Sequence, residues 1–200
     1  MARDAFVEDL DEVERGRLAA YRWDADKARF LVGVSIVRRL LAARFSLPPA
    51  QVKLDRSCPD CGKPHGKVRA DGAELSVTHS GDLVGVAIGD HPLGLDVEKI
   101  DPRVDVDGVA KLALSPREVQ ELTQYDGLTK AEVFTSYWTR KEAVVKATGQ
   151  GLRTDLRTVT DPDGIQLVEL TVEPGYAAAL AVVSTQPPVV RVQDAAQLLI

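Results

Sequence analysis

Asp96 and Glu98, two residues apart in the apolar run Gly94-Leu95-Asp96-Val97-Glu98, have types and spacing that suggest chemistry. A strand points residues i and i+2 to one side, so both carboxylates share a face while Leu95 and Val97 turn toward a core. Two like charges held together are costly unless something cationic sits between them. Oxygen donors without a nearby His or Cys favour Mg²⁺ or Ca²⁺. The plain alternative is a strand with a solvated acidic face. A second group steps by four along a helix: Phe134, Trp138, Glu142 and Lys146. They form one slowly rotating stripe, aromatic in its first half and charged in its second. An ordinary i, i+4 Glu–Lys pair, worth a few tenths of a kcal/mol, accounts for Glu142 and Lys146 but not for the whole string.

Helices and strands must position these residues. Phe30, Val34, Val37 and Leu41 recur at helical spacing and predict a helix from about Asp24 to Arg44. Asp24 or Asp26 is placed to cap it, and Leu47-Pro48-Pro49 ends it. Arg38 and Arg39 read as surface residues. The stretch 57–72, rich in Pro, Gly and Cys, reads as a loop. Strand-like runs follow at Glu74–Thr78, Leu83–Ile88 and Leu93–Val97, with Gly81-Asp82 and Gly89-Asp90 as turns. Ser115-Pro116-Arg117-Glu118 has the form of a helix start, with a serine cap, proline at the first position and glutamate closing a capping box. The charged stripe belongs to a helix from about Lys130 to Thr148 that stops before Gly149. Strands are expected again at Ile165–Val172, Ala177–Ser184 and Val189–Val192, with Asp161-Pro162-Asp163-Gly164 as a turn. Helix then strands, twice, suggests an α+β fold of two halves of similar plan, 1–100 and 101–200. No low-complexity linker separates them, so tight packing is expected.

Bulk properties narrow the class. The chain has 200 residues, 44% hydrophobic and 28% charged, with a formal net charge of −5. The acidic balance argues against general nucleic-acid binding, though not against a local basic pocket for a phosphorylated ligand. No apolar run approaches the roughly 20 residues of a membrane span. The acidic start, Met1 to Asp11, lacks the order of a signal peptide. A cytoplasmic monomer is expected.

Four ordered motifs carry a resemblance. The string Phe134 to Leu152 resembles the signature of Sfp-type 4′-phosphopantetheinyl transferases, a W-[ST]-x-K-E-A-x-x-K core followed by G-x-G-L. Gly94 to Glu98 resembles that family's G-[IV]-D-[IV]-E motif. Leu75-Ser76-Val77-Thr78-His79-Ser80 is similar to S-x-S-H-S, with Thr78 in place of the middle serine. Ser115 to Glu118 resembles an F-S-x-x-E element in which Leu114 replaces the phenylalanine.

The resemblance implies two similar α+β halves, related by a pseudo-twofold, with the active site at their junction. It implies transfer of 4′-phosphopantetheine from coenzyme A to a serine of an apo acyl or peptidyl carrier protein, releasing 3′,5′-ADP, in fatty-acid, polyketide or nonribosomal peptide synthesis. By motif position, Mg²⁺ is held by Asp96, Glu98 and Glu142. Glu142 accepts the serine proton, directly or through water, and Lys146 stabilises the leaving phosphate. His79 matches a histidine beside the coenzyme A phosphates, against the alternative of a structural His, and Thr78 retains a hydroxyl for the ligand. Arg22 and Arg29 fall where the family places basic ligands for the 3′-phosphate, or else belong to a solvated helix face. Lys63 and Lys67 both fit a G-[KR]-P position, and the longer context favours Lys67. An apolar patch near the cleft should receive the carrier's helix.

Cys58 and Cys61, the only cysteines, could begin a zinc site with His65 as a third ligand. Structural zinc normally takes four ligands and no second pair exists, so a loop that simply carries two thiols is the preferred reading. A redox pair would be expected near a βαβ unit, which the order of elements lacks. Other classes account for less. A coenzyme A or nucleotide-binding module without turnover predicts loss of Glu142 or Lys146. A small zinc-binding interaction protein leaves Asp96, Glu98 and the 134–152 string unexplained. An unrelated phosphotransferase would need a G-x-x-x-x-G-K-[ST] loop.

Overall fold

The computed structural model describes residues 2–58, 61–151, 154–160 and 163–199. Leu152 at the end of the signature string, Pro59 and Asp60 between the cysteines, and Asp161-Pro162 of the expected turn lie outside the described residues. Two short helices open the chain, α1 (Ala2–Glu8) and α2 (Glu12–Ala20). Neither has a strong sequence signal beyond the capping box of α2, in which Asp11 and Glu14 satisfy each other's backbone N–H groups. The expected long helix is α3 (Asp24–Phe45). Its N-cap is Trp23, with no side-chain cap, so neither Asp24 nor Asp26 caps it. Both lie in the first turn, where acids complement the helix dipole. Ser46, at φ 54°, ends it ahead of Pro48.

Arg38 corrects the sequence reading most sharply. It is fully buried, not a surface residue. Its guanidinium donates to Glu14 Oε2 and Asp11 Oδ2, both at 2.6 Å, and to the carbonyls of Pro49 and Val52. The two carboxylate partners come from α2 and its N-cap, an element the sequence left unread. Arg39 is partly buried too, pairing with Asp9 at 2.8 Å and lying over the Phe6 ring.

Strands β1 (Glu74–Ser80) and β2 (Leu83–Gly89) form an antiparallel hairpin, with Ser80 opposite Leu83 across Gly81-Asp82. Gly81 has φ +54°, which a residue with a Cβ rarely adopts. Next come β3 (Leu93–Lys99), α4 (Val106–Ala113), α5 (Pro116–Leu122) and α6 (Gly127–Thr148). The capping box at Ser115 and Glu118 forms as expected. Helix α4 was not expected; Asp105 caps it, and Val106, Ala110 and Ala113 are its buried face. Helix α6 begins three residues earlier than its periodicity suggests and stops at Gly149, φ 70°. Strands β4 (Ile165–Glu169) and β5 (Tyr176–Val183) complete a second antiparallel sheet in the order β3-β5-β4.

The expected strand at Val189–Val192 does not form. Pro187 and Pro188 bring no amide N–H to a ladder, and the segment pairs with neither sheet. Only Val190 packs inward, against Leu93, Leu95, Leu180 and Val182, while Val189 and Val192 are exposed.

Each sheet carries one long helix. Val37 and Leu41 of α3 meet Leu75 of β1. Ala143, Val144 and Ala147 of α6 lie on Ala179 and Ala181 of β5. Strand β3, from the first hundred residues, is thus laddered into the sheet of the second hundred. Small side chains let α6 approach closely, and Gly94 sets the limit: a Cβ there would lie 2.1 Å from the Ala143 carbonyl oxygen.

Replacing Arg38 with leucine leaves Glu14 buried without its main partner. Breaking such a pair costs about 3–5 kcal/mol, whereas Arg44→Ala on the surface should change stability by less than about 0.5 kcal/mol. Urea unfolding midpoints of the two variants test the contrast.

Candidate functional site

The acidic residues of β3 are held by a seam of hydroxyls. Strands β1 and β3 belong to different sheets. Instead of a backbone ladder, three alternate side chains of β1 bridge them. Ser76 Oγ accepts from Leu95 N at 3.0 Å, Thr78 Oγ1 from Val97 N at 3.3 Å, and Ser80 Oγ from Lys99 N at 3.0 Å. All three hydroxyls also donate, Ser76 to the Leu95 carbonyl at 3.5 Å, Thr78 to Asp96 Oδ1 at 3.0 Å and Ser80 to Glu98 Oε2 at 2.6 Å. The period of two in β1 is thereby matched to the period of two in β3.

Across the cleft, α6 supplies Glu142 and Lys146. Lys146 Nζ donates to Asp96 Oδ1 at 2.6 Å and lies 3.3 Å from the Leu95 carbonyl oxygen. The cleft, about 330 Å³, is lined by Val77, Thr78, His79, Asp96, Glu98, Trp138, Glu142 and Lys146. Beside it lies a mostly apolar cleft of about 230 Å³, which shares Glu98 and Trp138 and is walled by Val104, Val106, Val109 and Phe134. Phe134 is buried, and its ring centroid lies 6.1 Å from that of Trp138. Trp138 is only partly buried and reaches both clefts, so it does more than anchor the helix in the core.

Three carboxylates crowd one place. Burial pushes Asp96 above the usual carboxylate range, although Lys146 and the hydrogen bond from Thr78 oppose the rise. Burial also raises Glu98, with the charge of Asp96 adding to it, and does the same for Glu142. Asp96 Oδ2 is buried with no hydrogen-bond partner. An orphaned carboxylate oxygen amid acids that resist ionisation fits a cation-binding site with hard oxygen donors. The oxygens of Asp96, Glu98 and Glu142 do not all lie within 4.8 Å of one another, the spacing that Cys58, Cys61 and His65 alone meet among the described residues. Gathering them around one ion takes side-chain rotation.

Six of the residues given a site role from the sequence meet here, Thr78, His79, Asp96, Glu98, Glu142 and Lys146, together with Trp138 of the helical stripe. Three others are not among the lining residues. Exposed Arg22 stacks over Trp23. Arg29 donates to the Gly81 carbonyl and to Asp26, tying α3 to the β1–β2 turn. Lys67 donates to the carbonyls of Leu93 and Lys146, at 3.0 and 2.9 Å, and burial pushes its amine below the ordinary lysine range. Lys63 is exposed.

Sequence reasoning gave no role to Ser76, Ser80 or Lys141. Hydroxyls at i, i+2 and i+4 of a strand were the available signal for the serines. Lys141 is buried at 4% exposure and bonds Glu118 at 2.9 Å, together with the carbonyls of Leu156 and Val159. A buried lysine beside an outward Glu142 has no signature in helical periodicity.

The sequence has counterparts among known proteins. A family model described as the 4′-phosphopantetheinyl transferase superfamily matches residues 92–188. The chain is 30% identical over 187 residues to 4′-phosphopantetheinyl transferase HetI of Nostoc sp., covering 86% of this chain and 78% of that one. It is 26% identical over 192 residues to 4′-phosphopantetheinyl transferase Sfp of Bacillus subtilis, covering 88% and 84%. With 4′-phosphopantetheinyl transferase psf-1 of Bacillus pumilus the identity is 29%, over 74% of this chain and 61% of the relative. The chain belongs to the 4′-phosphopantetheinyl transferase superfamily, a family of transferases, and its relatives place it with the Sfp-type members.

The raised carboxylates give stability a pH signature. The folded protein holds the Glu142 proton more tightly than the unfolded chain, so stability present at low pH is lost as pH rises from the ordinary glutamate value of 4.5 through the higher folded value. Glu142→Gln removes that loss. Its urea midpoint should match wild type well below pH 4.5 and exceed it at neutral pH; parallel profiles for the two proteins would contradict the crowding.

Proposed function

We propose that this protein transfers the 4′-phosphopantetheine group of coenzyme A to a serine of an apo carrier protein and releases 3′,5′-ADP. The observation that carries the reading is the meeting of Asp96, Glu98, Glu142 and Lys146 in one cleft, with a buried, unpartnered Asp96 oxygen. In this reading Asp96, Glu98 and Glu142 hold Mg²⁺, which when bound neutralises charge on the pyrophosphate. Lys146 leaves Asp96 for the phosphate being displaced, exchanging one charged partner for another. Glu142, directly or through a bound water, accepts the proton of the attacking serine.

His79, exposed at the rim, and the Thr78 hydroxyl face the pyrophosphate in the same proposal. Thr78 also keeps Asp96 in place, so it is a positioning residue first. Arg22, Arg29 and Lys67 are assigned to the phosphates of coenzyme A, and Arg29 and Lys67 would exchange backbone carbonyls for them. The apolar cleft between Val104 and Trp138 is the seat assigned to the carrier's helix beside its serine. The halves 1–100 and 101–200 are read as pseudo-twofold counterparts, with β3 of the first laddered into the sheet of the second. Among the described residues no helix is long and apolar enough to cross a membrane; we assign the protein to the cytoplasm.

Apo acyl and peptidyl carrier proteins, incubated with the chain, coenzyme A and Mg²⁺, should gain the phosphopantetheine mass. Glu142→Gln should slow the gain by about 10²–10⁴-fold without lowering the urea midpoint. Lys146→Ala should also be inactive, but it leaves Asp96 buried without its cation. No mass gain on any carrier class would sink the reading, and wild-type turnover in the purified Glu142→Gln variant would sink the role of Glu142.

A further inference from the structure

The segment 55–69 is folded around a group of side chains that the cleft does not use. Its base is closed by reciprocal backbone bonds between Asp55 and Arg69, at 2.9 and 2.8 Å. Toward the tip, Cys58 N donates to the Lys63 carbonyl at 2.9 Å and Gly62 N to the Cys58 carbonyl at 2.8 Å. Gly62, at φ +70°, reverses the chain directly after Cys61. Gly66 N donates to the Arg56 carbonyl at 2.7 Å, and a Cβ on Gly66 would lie 2.8 Å from the Ser57 carbonyl oxygen. These bonds fold His65 back onto the cysteines. One ligand atom each from Cys58, Cys61 and His65 lies within 4.8 Å of the others, and Cys61 Sγ is 3.0 Å from His65 Nε2.

We propose that Cys58, Cys61 and His65 bind one Zn²⁺ and that the ion clips this loop. Two thiolates and an imidazole suit Zn²⁺ rather than the hard cations that suit the carboxylate cleft. Bond lengths of about 2.3 Å to sulfur and 2.0–2.1 Å to nitrogen place tetrahedral donors about 3.5–3.8 Å apart. The Cys61–His65 contact therefore opens by about 0.5 Å to admit the ion. Water takes the fourth position. Binding releases the thiol protons, so metal affinity falls as pH falls.

Beyond these backbone bonds the loop has little buried packing to order it. Of residues 61–69 only Val68 is buried. Yet this loop delivers Lys67 to the Leu93 and Lys146 carbonyls at the start of β3 and the end of α6. A metal clip thus stabilises one support of the cleft wall, whether or not the transferase reading holds. The sequence offered His65 as a third ligand and argued against zinc for want of a second pair; the turn geometry brings His65 onto both cysteines, and water completes the four.

The test is metal content and metal-dependent protection of the full chain. Purified protein should carry one zinc per chain by elemental mass spectrometry. Replacing zinc with Co²⁺ should give thiolate-to-cobalt charge-transfer absorption. Removing zinc by chelation should increase hydrogen exchange across 56–69 and expose both thiols to iodoacetamide. Cys61→Ser and His65→Ala, at exposed positions, should each weaken Zn²⁺ affinity by at least about 100-fold, since losing even an outer-shell partner costs 10–100-fold. Zinc far below one equivalent in wild type, or zinc content unchanged in both variants, overturns the proposal. So does a Cys58–Cys61 disulfide in protein that takes up no Zn²⁺ after reduction.

Discussion

Two sheets that do not share a backbone ladder are joined through three hydroxyls, and the cleft depends on that junction. Ser76, Thr78 and Ser80 take the N–H groups of Leu95, Val97 and Lys99 that a neighbouring strand would otherwise satisfy. A side-chain bridge is longer than a backbone one. It holds β3 in register with β1 while keeping the strands far enough apart for carboxylates to stand between them and α6. Thr78 and Ser80 then spend their protons on Asp96 and Glu98, so one set of groups fixes both backbone and acids.

The opposite wall is set by packing. Gly94 and the alanines of α6 and β5 bring the helix against β3 with no room for a Cβ. That approach places Lys146 on Asp96 and leaves Glu142 among acids it would avoid in water. The cost appears as three carboxylates shifted toward their neutral forms. Crowded charge of this kind marks places where a site has been built against local stability.

The surrounding polar contacts hold these walls. Lys141 ties α6 to Glu118 of α5 and to the segment after α6, so two separate sequence motifs are parts of one buried bond network. Arg38 does the same for α2, α3 and the turn at Pro49. In both cases a charged side chain lies inside because several carbonyls and a carboxylate together replace its water.

The sequence by itself determined the local elements with clear periods and stops: the helices ending ahead of Pro48 and at Gly149, the hairpin at Gly81, the capped start at Ser115, and the shared face of Asp96 and Glu98. Those follow from 3.6- and 2-residue spacing and from glycine, proline and capping chemistry, all readable within a few residues. It also revealed which motifs belong together, though not why Ser76 and Ser80 accompany Thr78. Only the tertiary structure decided that Arg38 and Lys141 are buried, that Arg22, Arg29 and Lys67 stand off the cleft, that Val189–Val192 has no strand to join, and that His65 reaches the cysteines. Each is a long-range pairing or the absence of one, and its partner lies in an element whose position local spacing does not encode.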